Sequence, residues 1–381
     1  MKRNNLSYFM MIILFVLSAG LTSCKSISLP DLSPSNASAS ANNLPALKPP
    51  QHIALLLPLH GGYGASGQTI REGFFNEYYA NLAKTNKQSI SIYDTSAGKN
   101  IQTLYQQAIA EGADFVIGPL VKTEVQTLHQ TSSFPAPTLA LNYTEVGSGT
   151  LPTNFYEFGL LPEDEAVQMA TRARESGLSQ AILIAPQNAW GKRLTASFAT
   201  AWQAAGGTIV DTWYYSNTAA FNQSITQLLN VNLERDKQLI GEAKDKNLLK
   251  QRRRQDFDVV FLLAQPREAR MIVPLLRYYY VNDIPIYATA AVYSGKPNPT
   301  RDVDLNGIII CDIPWKTSNS APAADRLYAV GQDAYLLSQA LPHLIAVSNF
   351  SLDGKTGTLA MSPSHQIHRR VPCRVVENGR I

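Results

Sequence analysis

From Gln51 onward the chain alternates short apolar runs with longer stretches of helical period. Ile53 to Leu57 is apolar throughout, too short for a helix and closed by Pro58, as in a strand buried on both faces. A glycine cluster follows (Gly61, Gly62, Gly64, Gly67), then Ile70, Phe74 and Tyr78 at helical spacing. Strand, glycine turn and helix open a βαβ unit. Further strands are predicted at Ser89–Tyr93, Asp114–Ile117, Thr138–Leu141 and Phe155–Leu160. Between them lie a helix over Ile101–Ile109, stopped by Gly112, and a short one from Lys122. Pro162 starts the next helix in the favoured first position, followed by Glu163, Asp164 and Glu165 where the positive helix end attracts acids.

The second half repeats the scheme. Strands at Ala181–Ala185, Thr208–Tyr215, Val259–Leu263, Ile286–Ala288 and Ile308–Ile310 alternate with helices over Leu194–Ala205, Phe221–Leu229, Arg267–Tyr280 and Asp325–His343. After Asn349 the helical period gives way to short runs broken by Gly and Pro, a β-rich end. The fold class is α/β, with two doubly wound parallel-sheet lobes divided near Leu160.

Before Gln51 the pattern differs. Lys2 and Arg3 precede an apolar stretch from Tyr8 to Leu17 closed by small residues, a secretory signal too short for a comfortable membrane span. It ends Leu21-Thr22-Ser23-Cys24, which resembles a bacterial lipobox, so residues 1–23 are expected to be removed and Cys24 to be lipidated. Lys25, where an Asp would by analogy favour the inner membrane, points to outer-membrane attachment facing the periplasm. Residues 24–50, rich in Ser, Asn, Ala and Pro, are expected to form a disordered tether of roughly 30 Å as a coil.

Composition narrows the choices. Hydrophobic residues are 45% of the 381 and charged residues 16%, enough for a sizeable core. The formal charge of +4 falls to +2 without Lys2 and Arg3, so nothing demands a nucleic acid partner. With Cys24 lipidated, Cys311 and Cys373 remain; in an oxidising compartment they either pair or stay as separate buried thiols. No Cys-x-x-Cys occurs, and His365 and His368, three apart in a predicted strand, face opposite ways and cannot readily share a metal.

Gly62 to Gly67 matches G-x-G-x-x-G, with Asp94 after the second strand where a ribose-binding acid could sit. Pro58 to Gly61 separates that match from its strand, however, and an exported chain is not normally supplied with nicotinamide cofactors. No cofactor and no metal are expected. No G-x-S-x-G nucleophile elbow occurs, so the chain is not read as an enzyme. Arg252, Arg253 and Arg254 belong to the one dense charge run, either a solvated helix end or a docking patch for an acidic partner.

The segment Leu57-Pro58-Leu59-His60-Gly61, with Gly67 opening the helix, resembles the opening of type I periplasmic binding proteins. His60 stands where that family often has Ser. The resemblance implies a cleft between lobes lined in the first by His60, Gly61, Gly62, Tyr63, Ser66, Gly67 and Gln68, by Leu120, Lys122 and Thr123, and by Asn142 and Tyr143. Asn188 and Trp190 would face them from the second, and Tyr293 would add to the lining. The chain in this fold usually crosses between lobes three times. Lobe 1 is therefore expected to hold 51–160 and about 287–345, and lobe 2 to hold 161–286 and about 346–381.

Further segments narrow the likeness: Ile117-Gly118-Pro119-Leu120, Leu139 to Tyr143, Phe158-Gly159-Leu160 before Pro162 to Ala166, and Ala185-Pro186 before Trp190-Gly191. So do Arg252 to Asp258, Phe261 to Ala264 and Tyr287-Ala288-Thr289. From about Gln51 to its end the chain resembles the LppC/LpoA family, lipoprotein activators of bifunctional penicillin-binding proteins. Longer members carry a helical-repeat domain before this module; here only the tether is expected before it. The resemblance implies a non-catalytic outer-membrane lipoprotein that binds and stimulates a peptidoglycan synthase. The runner-up is a solute-binding lipoprotein that delivers a small polar ligand to a transporter or sensor, and a third class is a purely structural envelope protein.

Overall fold

The computed structural model describes residues 48–82, 87–131, 133–144, 151–232, 234–235, 251–295, 298–314 and 326–381. The expected signal segment, Cys24 and all but the end of the tether lie outside them. By contacts the chain divides into Met1–Asp31 and Leu32–Ile381, and the architecture below belongs to the latter.

Five parallel strands form the first sheet, in the order β2 (Ser89–Asp94), β1 (His52–Leu57), β3 (Phe115–Ile117), β4 (Thr138–Ala140), β5 (Phe155–Glu157). Ile53 is flanked by Ile90 and Phe115, so β1 is central, as its unbroken apolar run requires. Alternate residues of β1 serve opposite faces. Ile53, Leu55 and Leu57 pack with Ile70 and Phe74 of α1 (Gly64–Asn81) and with Tyr335 and Leu337 of α8 (Arg326–Ala346). Ala54 and Leu56 pack with α2 (Ile101–Ala110) and α3 (Lys122–His129).

The second sheet runs β14 (Cys373–Val375), β10 (Ile309–Cys311), β9 (Ile286–Thr289), β8 (Val259–Leu262), β6 (Gln180–Pro186), β7 (Thr208–Tyr215). All neighbours are parallel except β14, which pairs antiparallel with β10. Here β6 alternates in the same way. Ile182 and Ile184 face the cluster of α6 (Phe221–Leu228) and α7 (Pro266–Tyr278); Ala181, Leu183 and Ala185 face that of α4 (Pro162–Glu175) and α5 (Ala189–Ala204). A small antiparallel sheet, β11 (Ser351–Asp353), β12 (Thr358–Met361) and β13 (Ile367–Arg370), lies against the first lobe, where Leu359 and Ile367 join the core around β1.

The expected chain path needs correcting. The chain does not return to the first lobe at about Tyr287: β9 and β10 both extend the second sheet, because Val260 pairs with Ile286 and Tyr287 with Ile309. The crossing falls between Ile313 and α8 instead. The tail is also divided: β11 to β13 stay with the first lobe and only β14 onward joins the second. Cys311 and Cys373 face each other across β10 and β14 and are disulfide-bonded, 62 residues apart in sequence.

Candidate functional site

The carboxyl ends of the parallel strands carry the expected cleft residues in both lobes, as the topology of open α/β sheets dictates. After β1, His60 is exposed and its Nδ1 lies 2.7 Å from Asp94 Oδ2, at the end of neighbouring β2. Asp94 also accepts from Leu59 N and from Ser96. Burial would push that carboxyl up, but the bonds from Ser96, Leu59 and His60 hold it well below the usual range. The acid proposed for a ribose is thus committed to shaping the turn.

Gly61, Gly62 and Tyr63 form an exposed 3-10 turn and Ser66 is half-buried at the start of α1. A Cβ on Gly67 would lie 1.9 Å from Pro58 O, so this glycine lets helix and strand backbones touch. In the second lobe a Cβ on Gly191 would lie 2.0 Å from Pro186 O, the same device at the equivalent turn. Gln68 donates to Leu59 O, and Asn142 to Leu120 O, tying the loops after β1 and β3 in place. Lys122 and Thr123 are exposed at the start of α3. Asn188 caps α5 by accepting from Gly191 N, and Trp190 packs against the second core.

Two expected residues are turned inward. Tyr143 is buried and donates to Ile367 O at 2.6 Å; burial, with Asp164 nearby, raises its hydroxyl well above the usual value. Tyr293 is buried with its hydroxyl 3.3 Å from Gly379 O. Both hydroxyls are engaged by backbone carbonyls.

The arginine run, read as either a solvated helix end or a docking patch, has its side chains engaged internally. Arg252 donates to Tyr280 Oη and lies over its ring. Arg253, 4% exposed, donates to Tyr280 O, Arg254 O and Asp283 and lies over Phe257. Arg254 bridges Asp256 and Asp211. These three side chains pin the segment before β8 to the turn after α7 and to β7. His365 sits in a turn with φ 65°, not in the strand, and its ring lies tilted against that of Tyr156, 5.2 Å between centroids.

What sequence reasoning missed is the joint between the lobes. Glu163, Asp164 and Glu165, taken as helix-end acids, are all buried. Asp164 accepts from Arg369 N and contacts His368 Nδ1, both at 2.8 Å, on β13 of the other lobe. Glu165 accepts from Ala290 N at 2.9 Å and lies 3.6 Å from Arg369, and Glu163 pairs with Arg193. Arg326, at the start of α8, grips Asp312 of the second lobe and donates to Ala290 O and Tyr293 O. Glu157 takes Gln366 and Thr144 N. The available signal was position: three consecutive acids at a lobe junction, where exposure cannot be assumed.

Two parallel-sheet lobes joined by three crossings, with helix N-termini at the strand ends, define a type I periplasmic-binding-protein-like module. Residues 40–374 match the family described as "LppC putative lipoprotein", and the chain belongs to that family. It is 28% identical over 342 residues to the penicillin-binding protein activator LpoA of Photobacterium profundum, covering 84% of this chain and 55% of that protein. It is 29% identical over 350 residues to LpoA of Vibrio antiquarius, with coverages of 84% and 56%. The chain thus spans about half the length of these curated relatives. Among solved structures, the LpoA C-domain of Haemophilus influenzae, a regulator of PBP1A, superposes with a TM-score of 0.70 at 25% identity, covering 86% of this chain and 98% of that one. A branched-chain amino acid ABC transporter protein of Chromobacterium violaceum superposes at 0.62 and 25% identity, over 85% and 99%. No helix among the described residues is long and apolar enough to cross a membrane.

Proposed function

We propose that this chain is a lipid-anchored regulator that binds a bifunctional penicillin-binding protein and stimulates it without performing chemistry. The observation that carries this reading is full-length correspondence with one module: family match over residues 40–374 and 98% coverage of the regulatory C-domain. Stimulation would work by differential contact, the module gripping the active conformation of the synthase more tightly than the inactive one. Anchoring through Cys24 at the outer membrane, with the module facing the periplasm, is part of the same proposal. Cleft residues remain candidates for contact, His60, Tyr63, Lys122 and Thr123 foremost because they are exposed.

The test mixes the purified chain with a bifunctional penicillin-binding protein and follows glycan-strand synthesis and crosslinking. A saturable rise in either rate is expected; unchanged rates under conditions where binding is measured would sink the proposal. The solute-binding reading has one observation in its favour, the likeness to the transporter protein. It predicts that a small polar metabolite raises the melting temperature, whereas the inward-turned Tyr143 and Tyr293 argue against such a site.

A further inference from the structure

The joint buries more negative charge than it visibly neutralises. Within the first turn of α4, Glu163 is matched by Arg193 and Asp164 by His368 and the Arg369 backbone. Asp312, from the second lobe, is gripped by Arg326 through both oxygens. Among the described residues Glu165 has Ala290 N–H on one oxygen and, on the other, Arg369 at 3.6 Å, beyond hydrogen-bond reach. Arg369 is itself 1% exposed, and among the described residues its Nε and Nη2 have no hydrogen-bond partner. Glu165 belongs to the second lobe and Arg369 to the strand that closes the first, so this imperfect pair sits where the lobes meet.

We propose that Glu165 is a proton-held latch: protonated, it lets the lobes pack as they do here, and ionised, it pushes the joint towards an arrangement that admits water to its carboxylate. The physical reason is desolvation. A buried carboxylate needs close, well-aligned donors, and a single guanidinium at this distance is a poor substitute for water. Burial pushes Glu165 up to about 7; Arg369 opposes the rise, Asp312 adds to it, and Ala290 N–H and Arg326 oppose it.

The direction follows from linkage. An acid whose value is raised in the packed state favours that state fully below its ordinary value of 4.5, and the preference is lost as the pH climbs to about 7. Across that window the ratio of open to packed joint rises on the order of a hundred-fold, and it is level above. This behaviour does not depend on which partner the module grips, so it can fail while the regulator reading stands, and the reverse.

Hydrogen exchange on the full chain tests it, read as protection factors corrected for the intrinsic pH dependence of exchange. The amides of Arg369 and Ala290 report on the joint and those of Ile53 to Leu57 serve as internal reference. In the wild type, protection at the joint should fall at least ten-fold between about pH 5 and 7.5 while the reference holds. Glu165→Gln, which keeps an acceptor for Ala290, should keep the low-pH protection throughout. A wild-type profile as flat as the reference overturns the latch whether or not the variant folds. So does a Glu165→Gln profile that falls as the wild type does.

Discussion

Gly331→Ala should separate the two helices that close the first lobe. A Cβ at Gly331 would lie 2.0 Å from Ile70 O and 2.8 Å from Phe74 N; one at Gly73 would lie 2.0 Å from Tyr328 O. These are backbone atoms of opposing helices and cannot rotate away. To restore 3.4 Å contact α8 must retreat from α1 by about 1.4 Å. That retreat loosens the edge-on packing of Tyr335 against Phe74 and Tyr78. Overpacking of this kind costs about 1–3 kcal/mol, offset by about 1 kcal/mol from replacing glycine by alanine within a helix. With backbone against backbone the upper end applies, a net loss of about 2 kcal/mol and a melting temperature lower by roughly 4–8 °C. Thermal unfolding followed by circular dichroism measures it, with Gly62→Ala as control, since a Cβ there meets nothing within 4 Å. The double variant Gly73→Ala/Gly331→Ala should lose less than the two singles together, because the first retreat makes room for the second. A Gly331→Ala protein that melts with or above the wild type would refute the reasoning.

Other expectations follow from single observations. Arg253→Met should cost about 1–3 kcal/mol in urea unfolding, since it leaves the Tyr280 and Arg254 carbonyls without their guanidinium donor; a loss below about 0.5 kcal/mol would mean the guanidinium is dispensable. Replacing both Cys311 and Cys373 by Ser should destabilise by about 4 kcal/mol, the loop-closure entropy for a 62-residue separation, and reducing agent should lower the wild-type melting temperature but not the variant's. Asp94 is held low in the fold, so its stabilisation is present above the ordinary carboxylate range and lost on acidification. The melting temperature of Asp94→Asn should accordingly fall less than the wild type's between neutral pH and about pH 3; equal falls would refute that role.

The strands were legible because burial on both faces leaves no room for polar residues: Ile53 to Leu57 and Ala181 to Ala185 are 0–1% exposed. The glycine turns were legible for a related reason, since close approach of helix to strand excludes any side chain at Gly67. Lobe membership was not. Ile286–Thr289 reads like any buried strand, and only its pairing with Val260–Leu262 shows which sheet it extends. Charged runs misled in a consistent way. Sequence reports that Arg252 to Arg254 and Glu163 to Glu165 are ionisable, but their partners (Tyr280, Asp283, Asp211, Arg369, His368) are 27 to 205 residues away. Long-range partners turn what looks like solvated surface into staples and joints.

The bond between Cys311 and Cys373 makes the intervening stretch, with α8 and the small antiparallel sheet, a covalently closed arm rooted in one lobe and reaching into the other. A single protease cut within that arm would therefore release nothing. Such a nicked molecule would migrate as one species without reductant and as two fragments with it, still holding its first lobe together through the arm's buried face.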